Sequence, residues 1–296
     1  MHLAGIIHHL SGARLESLRR SYAHRVAMRR YRTRLFVLLL SLAIGLSAIG
    51  GEVDLKTFIT HIDRFPNYLI DIAPHLSLEN LPADLGDWYW NLRHWFDLLI
   101  DTLLMAYLGT AFGALGGFCL SFFAAANLTP HRSIGLVARR FLEICRTIPD
   151  LVFALVFVAA FGLGATPGIL ALSIHTSGAL GKLFAEVVEN MDMSGVDVLK
   201  STGATWTQTI RFAVLPQVAA NFVSYALLRF EINVRAAAVI GFVGAGGIGF
   251  DLMEAIRKFY YSDVSAILLM IIATVVLIDL GSEWLRHALT GAERRQ

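Results

Sequence analysis

Six apolar runs separated by short polar stretches set the rhythm of this 296-residue chain. They run from Leu35 to Gly51, Asp97 to Ala126, Ile148 to Ala165, Ile169 to Glu189, Ala213 to Phe242 and Val264 to Trp284. Each meets the roughly 17–25 residues that a helix needs to cross a bilayer. The pattern predicts an all-α integral membrane protein of about six transmembrane helices. Thr166-Pro167-Gly168 reads as the turn between the third and fourth runs. Gly109, Gly113, Gly116 and Gly117 gather near one face of the second run, where small residues let helices approach closely in lipid.

The composition fits that pattern. The chain is 56% hydrophobic and 16% charged, with a mean hydropathy of +0.60. Soluble domains average about 45–50% apolar and about 25% charged residues, so a soluble protein with a large core is excluded. The net charge of +2 says little, but its distribution says more. Residues 1–34 carry eight arginines against one acid, Glu16. Leu15, Leu18, Tyr22 and Val26 recur there at helical spacing, which predicts an uncleaved, amphipathic basic segment on the membrane surface. A nucleic-acid role is set aside, because the basic run abuts a membrane segment and topology accounts for it. Arg132, Arg139, Arg140 and Arg146 make a second basic region, and Arg294 and Arg295 a third. By the positive-inside rule these regions, the 194–216 stretch and both termini fall on the cytoplasmic side. The acidic 52–96 segment then falls outside as a polar loop. Its Trp88, Tyr89, Trp90 and Trp95 suit either a membrane–water interface or packing within the loop. The domain reading is a basic segment over 1–34, an anchor helix over 35–51, a periplasmic loop over 52–96 and a membrane domain over 97–289. Cys119 and Cys145 are too few and too far apart for a metal or disulfide framework.

Ser194 to Pro216 is polar and punctuated, although it lies between two apolar runs. Ser194 and Asp197 have capping-box spacing, so the serine starts a short helix and the carboxylate reaches back to its amide. Gly203 ends that helix, since glycine takes the left-handed conformation without steric penalty. Thr205 and Gln208 repeat the start signal, and Pro216 marks a new helix or a kink. The result is a rigid bent connector, suited to being pushed by another protein.

Gly244, Gly246, Gly247 and Gly249 fit G-x-G-x-x-G, but a dinucleotide site needs a strand leading in. A glycine-rich loop at membrane depth needs cover from protein or a water-filled cavity. A loop at the mouth of a pathway and a tight inter-helix turn are the two readings. No G-x-x-x-x-G-K-[ST] occurs, so ATP binding would belong to another chain. Arg229, Glu231, Asn233 and Arg235 sit inside the fifth run, where each charge costs a few kcal/mol unless it faces the bundle or water. Glu231 and Arg235 are four residues apart and pair on a helix. Arg229 has no local acid partner and suits an anionic substrate. A static ion-pair network and a pathway role both stand. His175, among Ser173, Thr176 and Ser177, reads first as a packed residue with hydrogen-bonding neighbours and second as a ligand contact. No catalytic set and no metal spacing are present.

The 194–216 stretch resembles the cytoplasmic E-A-A loop of ABC importer permeases. Asp197, Val198 and Leu199 hold the E-A-A places, Gly203-Ala204 the glycine, and Leu215-Pro216 the end. Asp97 to Leu289 more widely resembles phosphonate importer permeases, through Arg146-Thr147-Ile148-Pro149, Ile174-His175-Thr176, Arg229-Phe230-Glu231 with Asn233-Val234-Arg235, and the glycine-rich stretch. That stretch and Arg146 to Pro149 are shared with methionine importer permeases. The resemblance implies a type I importer permease core in the bacterial inner membrane. Its partners would be an ATPase dimer that binds ATP and magnesium, a periplasmic phosphonate-binding protein, and a second permease, identical or related. A permease for phosphate, phosphite or methionine is the alternative within the class. Outside it stand an ATP-independent secondary transporter or channel, against which no inverted repeat is visible, and a lipid-modifying enzyme, against which no nucleophile–base set is visible.

Overall fold

The computed structural model describes residues 12–51, 54–74, 77 and 79–293. Every regular element among them is helical. Two units are described separately, one up to Tyr68 and one from Leu69.

In the first unit, α1 (Gly12–Gly50) runs unbroken for 39 residues. The expected joint between a surface helix and an anchor at residues 34 and 35 is absent, because no Gly or Pro interrupts the residues around it. The basic run therefore continues on the axis of the apolar run. The part of the basic segment over 1–11 lies outside the described residues. The expected polar loop holds short helices: α2 (Leu55–Thr60), capped by Asp54 Oδ1 on two backbone N–H groups at 3.0 Å, and α3 (Arg64–Ile72), whose last four residues belong to the second unit.

In the second unit, α4 (Leu81–Trp88) has Pro82 in its first turn, where no intrahelical donor is needed. α5 (Leu92–Ala124) and α8 (Ala165–Glu189) run parallel and make the closest packing in the unit. Its glycines explain why. A β-carbon at Gly113 would stand 2.5 Å from Thr176 Cβ, and one at Gly117 2.8 Å from the Gly181 backbone. The indole N–H of Trp88 reaches Ser265 Oγ at 3.0 Å, and that of Trp90 reaches Asp263 Oδ1 at 3.0 Å. Those two indoles are thus spent on α13 (Tyr261–Glu293) rather than inside a loop.

The third apolar run departs most from expectation. The basic connector is itself a helix, α6 (Arg132–Thr147), bent by 84° to α7 (Asp150–Phe161) at Ile148-Pro149. Twelve residues of α7 rise only about 18 Å, too short for the roughly 30 Å hydrocarbon core. Pro149 makes the break, since it disfavours helix in the residue before it. The turn between the third and fourth runs is Gly162 to Gly164, with φ of 88° at Gly162 and 139° at Gly164. Thr166-Pro167-Gly168, read as that turn, lies inside the first turn of α8, where Pro167 displaces no hydrogen bond.

The connector holds α9 (Ser194–Ser201) and α10 (Trp206–Thr209). A π-turn, Ile210–Val214, joins α10 to α11 (Leu215–Ile240). Pro216 has no N–H to donate, and the wider turn absorbs the missing bond, with Leu215 N–H reaching Ile210 O. The glycine-rich segment is mostly helix as well. Only a short 3₁₀ turn and residues 244–247 separate α11 from α12 (Ile248–Arg257). Three apolar clusters stack along the bundle. Leu142, Leu180, Phe184, Val188 and Phe222 form the first, Met105, Leu172, Ala237 and Ile240 the second, and Trp95, Leu252 and Ile267 the third.

Candidate functional site

The polar residues of α11 fall into two groups on different faces. Towards α8, Arg229 Nε donates to Thr176 Oγ1 at 3.3 Å. Asn233 Nδ2 donates to the same oxygen at 2.9 Å and to Thr110 Oγ1 of α5 at 2.8 Å. Asn233 and Thr176 are fully buried, and Asn233 Oδ1 has no hydrogen-bond partner among the described residues. Arg229 is half-buried, and Asp150 at the start of α7 is the carboxylate whose charge acts on it. Towards α13, Arg235 bridges Glu231 at 3.1 Å and Asp279 at 3.1 Å, and Glu231 lies 3.8 Å from Arg286. The four residues therefore divide between two faces of α11. Glu231 and Arg235 form an ion-pair network. Arg229 and Asn233 form a hydroxyl-lined cluster with Thr176 and Thr110. Thr110 is absent from the sequence-based candidates, because one threonine in an apolar helix carries no signal of its own.

His175 stands apart from that cluster. Its Nδ1 meets the Ile148 carbonyl at 3.0 Å, at the α6–α7 break. Val152 N–H donates to Pro149 O rather than to Ile148, so the break leaves that carbonyl without its helical partner. The histidine satisfies it, which is the packed role. Gly178 permits the approach, since a β-carbon there would stand 2.6 Å from Arg146 N.

In the connector, the expected capping box at Ser194 does not form. Ser194 is the first helical residue, and Asp192 caps instead. Asp192 Oδ1 accepts the Ser194 N–H at 3.0 Å and Oδ2 the Ser194 hydroxyl at 2.7 Å. Those two bonds hold the Asp192 carboxyl below its ordinary range. Asp197, the residue expected to reach back, donates its own N–H to Met193 O at 3.0 Å. At the other end Gly203, with φ of 80°, donates to Lys200 O at 3.1 Å and Ala204 to Leu199 O at 3.2 Å, a Schellman pair. Gln208 Oε1 accepts the Thr205 N–H at 2.8 Å. Two anchors outside the candidate set fix the connector to the bundle. Val196 is fully buried in the first cluster, and Trp206 donates to Leu128 O at 2.9 Å while stacking on Phe123 at 5.0 Å. Ser194, Asp197 and Val198 point outwards, and Val198 is 63% exposed. Leu215 and Pro216 open α11, as described.

Each glycine of the glycine-rich loop has a geometric duty. Gly244, Gly246 and Gly247 adopt φ of 88°, 81° and 74°. Gly244 O accepts the Gly164 N–H at 3.0 Å, and Thr102 Oγ1 of α5 accepts the Ile248 N–H at 2.9 Å. Gly249 lies against the backbone of Ala238 and Gly241, where α11 and α12 cross. The loop is covered by α5, the α7–α8 turn and its own helices, as backbone at membrane depth requires.

A bundle of apolar helices with buried polar groups and a polar connector anchored at one end is a fold shared with chains of solved ABC transporters. The solved structures agree on the fold. The MetNI methionine ABC transporter in an inward-facing conformation gives a TM-score of 0.57 at 19% identity, over 66% of this chain and 95% of that one. A bacterial alginate ABC transporter, in complex with alginate pentasaccharide-bound periplasmic protein, gives 0.58 at 12% identity, over 86% and 95%. Residues 117–294 match the model of the binding-protein-dependent transport system inner membrane component family, and the chain belongs to that family. Among curated proteins, it is 44% identical over 211 residues to the phosphite transport system permease protein PtxC of Stutzerimonas stutzeri, covering 71% of this chain and 75% of that protein. It is 41% identical over 197 residues to the phosphate-import permease protein PhnE of Mycolicibacterium smegmatis, covering 67% of this chain and 37% of that protein. A putative cryptic phosphonate transport system permease protein, PhnE2 of Escherichia coli, is 49% identical over 118 residues, 40% of this chain and 97% of that one.

Proposed function

We propose that this chain is the permease subunit of an ATP-driven importer for a small phosphorus oxyanion of the phosphonate, phosphite and phosphate group. The observation that carries the reading is the Arg229 fork. Only its Nε is engaged, and its two terminal nitrogens have no hydrogen-bond or ion-pair partner among the described residues. Arginine with its fork open suits bidentate recognition of phosphoryl oxygens. The names of the relatives support the same substrate class.

The remaining parts follow from that role. An ATPase dimer, holding ATP and magnesium on its own chains, docks on the exposed side of α9, with Asp197, Val198 and Leu199 at the contact. Val196 and Trp206 pass its motion into the bundle. A periplasmic binding protein delivers substrate, and Gly244, Gly246, Gly247 and Gly249 shape the outer gate. A second permease completes the path. The side chains of Arg235 and Asp279 are 44% and 41% exposed on this subunit although they lie within apolar helices, so that face meets protein or water rather than lipid. The charge distribution supports cytoplasmic termini and an inner-membrane address.

The test is uptake in a deletion strain restored with this chain, its ATPase and its binding protein. Uptake of labelled methylphosphonate, phosphite or phosphate that stops with an inactive ATPase is the expected result. Uptake that survives the inactive ATPase, or uptake of methionine alone, would sink the reading.

Gly203 supplies a prediction on coupling. A β-carbon there meets nothing within 4 Å, so the cost of substitution is conformational alone. Valine at a left-handed position costs about 1–2 kcal/mol, whereas asparagine tolerates it. Gly203→Val is expected to lower ATP-dependent uptake on the order of tenfold while the ATPase still co-purifies, and Gly203→Asn to keep most of it. Normal uptake by Gly203→Val would remove α9 from the coupling step.

A further inference from the structure

α11 carries an unbroken polar ridge. Gln217, Asn221, Tyr225, Arg229 and Asn233 follow one another at four-residue spacing, the i±4n row of a helix surface. They span sixteen residues, about 24 Å of rise, in an otherwise apolar segment. The ridge follows the second half of α8. Gln217 Nε2 donates to Asp192 O, just past the end of α8, at 3.3 Å, and Arg229 and Asn233 meet Thr176 near the middle of that helix. Between these contacts the helices stay packed on one side, where Phe184 stacks on Phe222 at 4.0 Å. Beside that packing lies an open groove of about 430 Å³, lined by Glu186 and Asn190 on the α8 side, by Gln217, Asn221 and Tyr225 on α11, and by apolar side chains of both.

We propose that this groove is the inward exit of the oxyanion path, and that Asn221 and Tyr225 are its substrate-contacting residues. The inference rests on the oxyanion reading above and extends it to the release step. The groove is polar on one side and open to water, and its size admits a small oxyanion that keeps part of its hydration. The donors differ along the ridge in a useful way. Arg229 carries a full charge. Gln217 commits its amide to Asp192 O and to Ala213 O at 2.8 Å. Asn221 and Tyr225 hold neutral donors with no hydrogen bond to another described residue, and Asn221 is exposed to the cavity. The carboxylate in the lining, Glu186, lies 3.6 Å from Lys182 and is offset by it. A path must bind its ion well enough to admit it and weakly enough to let it go. One fixed cation followed by two neutral donors toward the cytoplasm meets that requirement.

The experiment uses the complete complex in inside-out vesicles that enclose the binding protein and labelled phosphite, so that transport in the uptake direction is read as ATP-dependent release into the bath. Cys119 and Cys145 are first replaced by serine, and uptake is shown to survive. Asn221→Cys, Tyr225→Cys and Leu277→Cys are then exposed to an anionic methanethiosulfonate, with Leu277 as a control on an exposed apolar face of α13. The thiolate, which forms in water and not in lipid, attacks the reagent's thiol-side sulfur to form a mixed disulfide and releases methanesulfinate, so positions 221 and 225 are expected to label on the order of tenfold faster than 277. Asn221→Cys and Tyr225→Cys are expected to lower phosphite uptake before labelling and labelling there to abolish what remains, whereas labelling at 277 leaves uptake unchanged. Equal labelling at all three positions, or uptake that survives labelling at 221 and 225, overturns the groove. These outcomes are separable from failure of the oxyanion reading. If the unlabelled complex carries no phosphite, phosphate or methylphosphonate, the substrate class falls, while the labelling ratio still decides whether the groove is a water-filled path.

Discussion

Replacing Gly249 with alanine is expected to remove most of the folded permease from the membrane. The added methyl group would sit well inside van der Waals contact of the Ala238 carbonyl oxygen, and 3.2 Å from Gly241 Cα. Neither neighbour is the end of a flexible side chain. Gly241 is equally confined, since its own β-carbon would stand 2.8 Å from Gly249 Cα and Phe250 N. The crossing of α11 and α12 therefore has backbone on both sides. Overpacking a core by one methylene typically costs about 1–3 kcal/mol, and a clash that only backbone can relieve belongs at or above the top of that range. Membrane proteins are as marginal as others, so about 3 kcal/mol is a large part of the total. Gly281→Ala is the comparison, with nothing within 4 Å of its β-carbon and a gain of about 0.8–1 kcal/mol in helix propensity. Thermal unfolding in detergent, read by size-exclusion of a fluorescent fusion, separates the two. A Gly249→Ala protein as stable as Gly281→Ala would mean that the crossing relaxes at little cost.

Why four glycines occupy six positions was not readable from their spacing. The motif alone left a pathway mouth and a tight turn as alternatives. In the structure, three of them meet a requirement for positive φ and the fourth a requirement for close helix crossing. These are independent demands that coincide in one segment. Apolar length was easier to read, because each helix needs enough apolar residues whatever it packs against. Direction was harder. Arg229 and Arg235 look alike in sequence, and their opposite fates follow from which neighbour each face meets, α8 for one and α13 for the other. The third run misled for the same reason. Its length suited a span, but Pro149 divides it, and the freed Ile148 carbonyl is met by a histidine twenty-seven residues away. Asp192 was missed as a cap because Ser194 and Asp197 offered the standard spacing two residues later. A carboxylate that takes both the N–H and the hydroxyl of Ser194 outcompetes it. Gly203 was legible, because a left-handed residue after a short polar helix has few alternatives.

Arg229→Gln is expected to give the largest loss of transport with the least loss of protein. Glutamine keeps a donor near Thr176 but removes the charge and the open fork. A hydrogen bond to a charged group contributes about 1.5–3 kcal/mol, and each 1.4 kcal/mol is tenfold, so uptake should fall on the order of ten- to a hundredfold. Arg229→Lys should fall between, since an ammonium keeps the charge but loses the planar pair of donors that fits two phosphoryl oxygens. A purely structural arginine would give the opposite ranking. Its work would be to balance Asp150, which a lysine also does, and Arg229→Lys would then match the wild type while Arg229→Gln lost stability. Uptake by the reconstituted complex, measured against oxyanion concentration and beside the thermal stability of each variant, distinguishes the two. A raised half-saturation or lowered maximal rate at unchanged stability places the guanidinium on the path. Full uptake by Arg229→Gln would show that the anion passes without it, and the polar ridge below would lose its starting point.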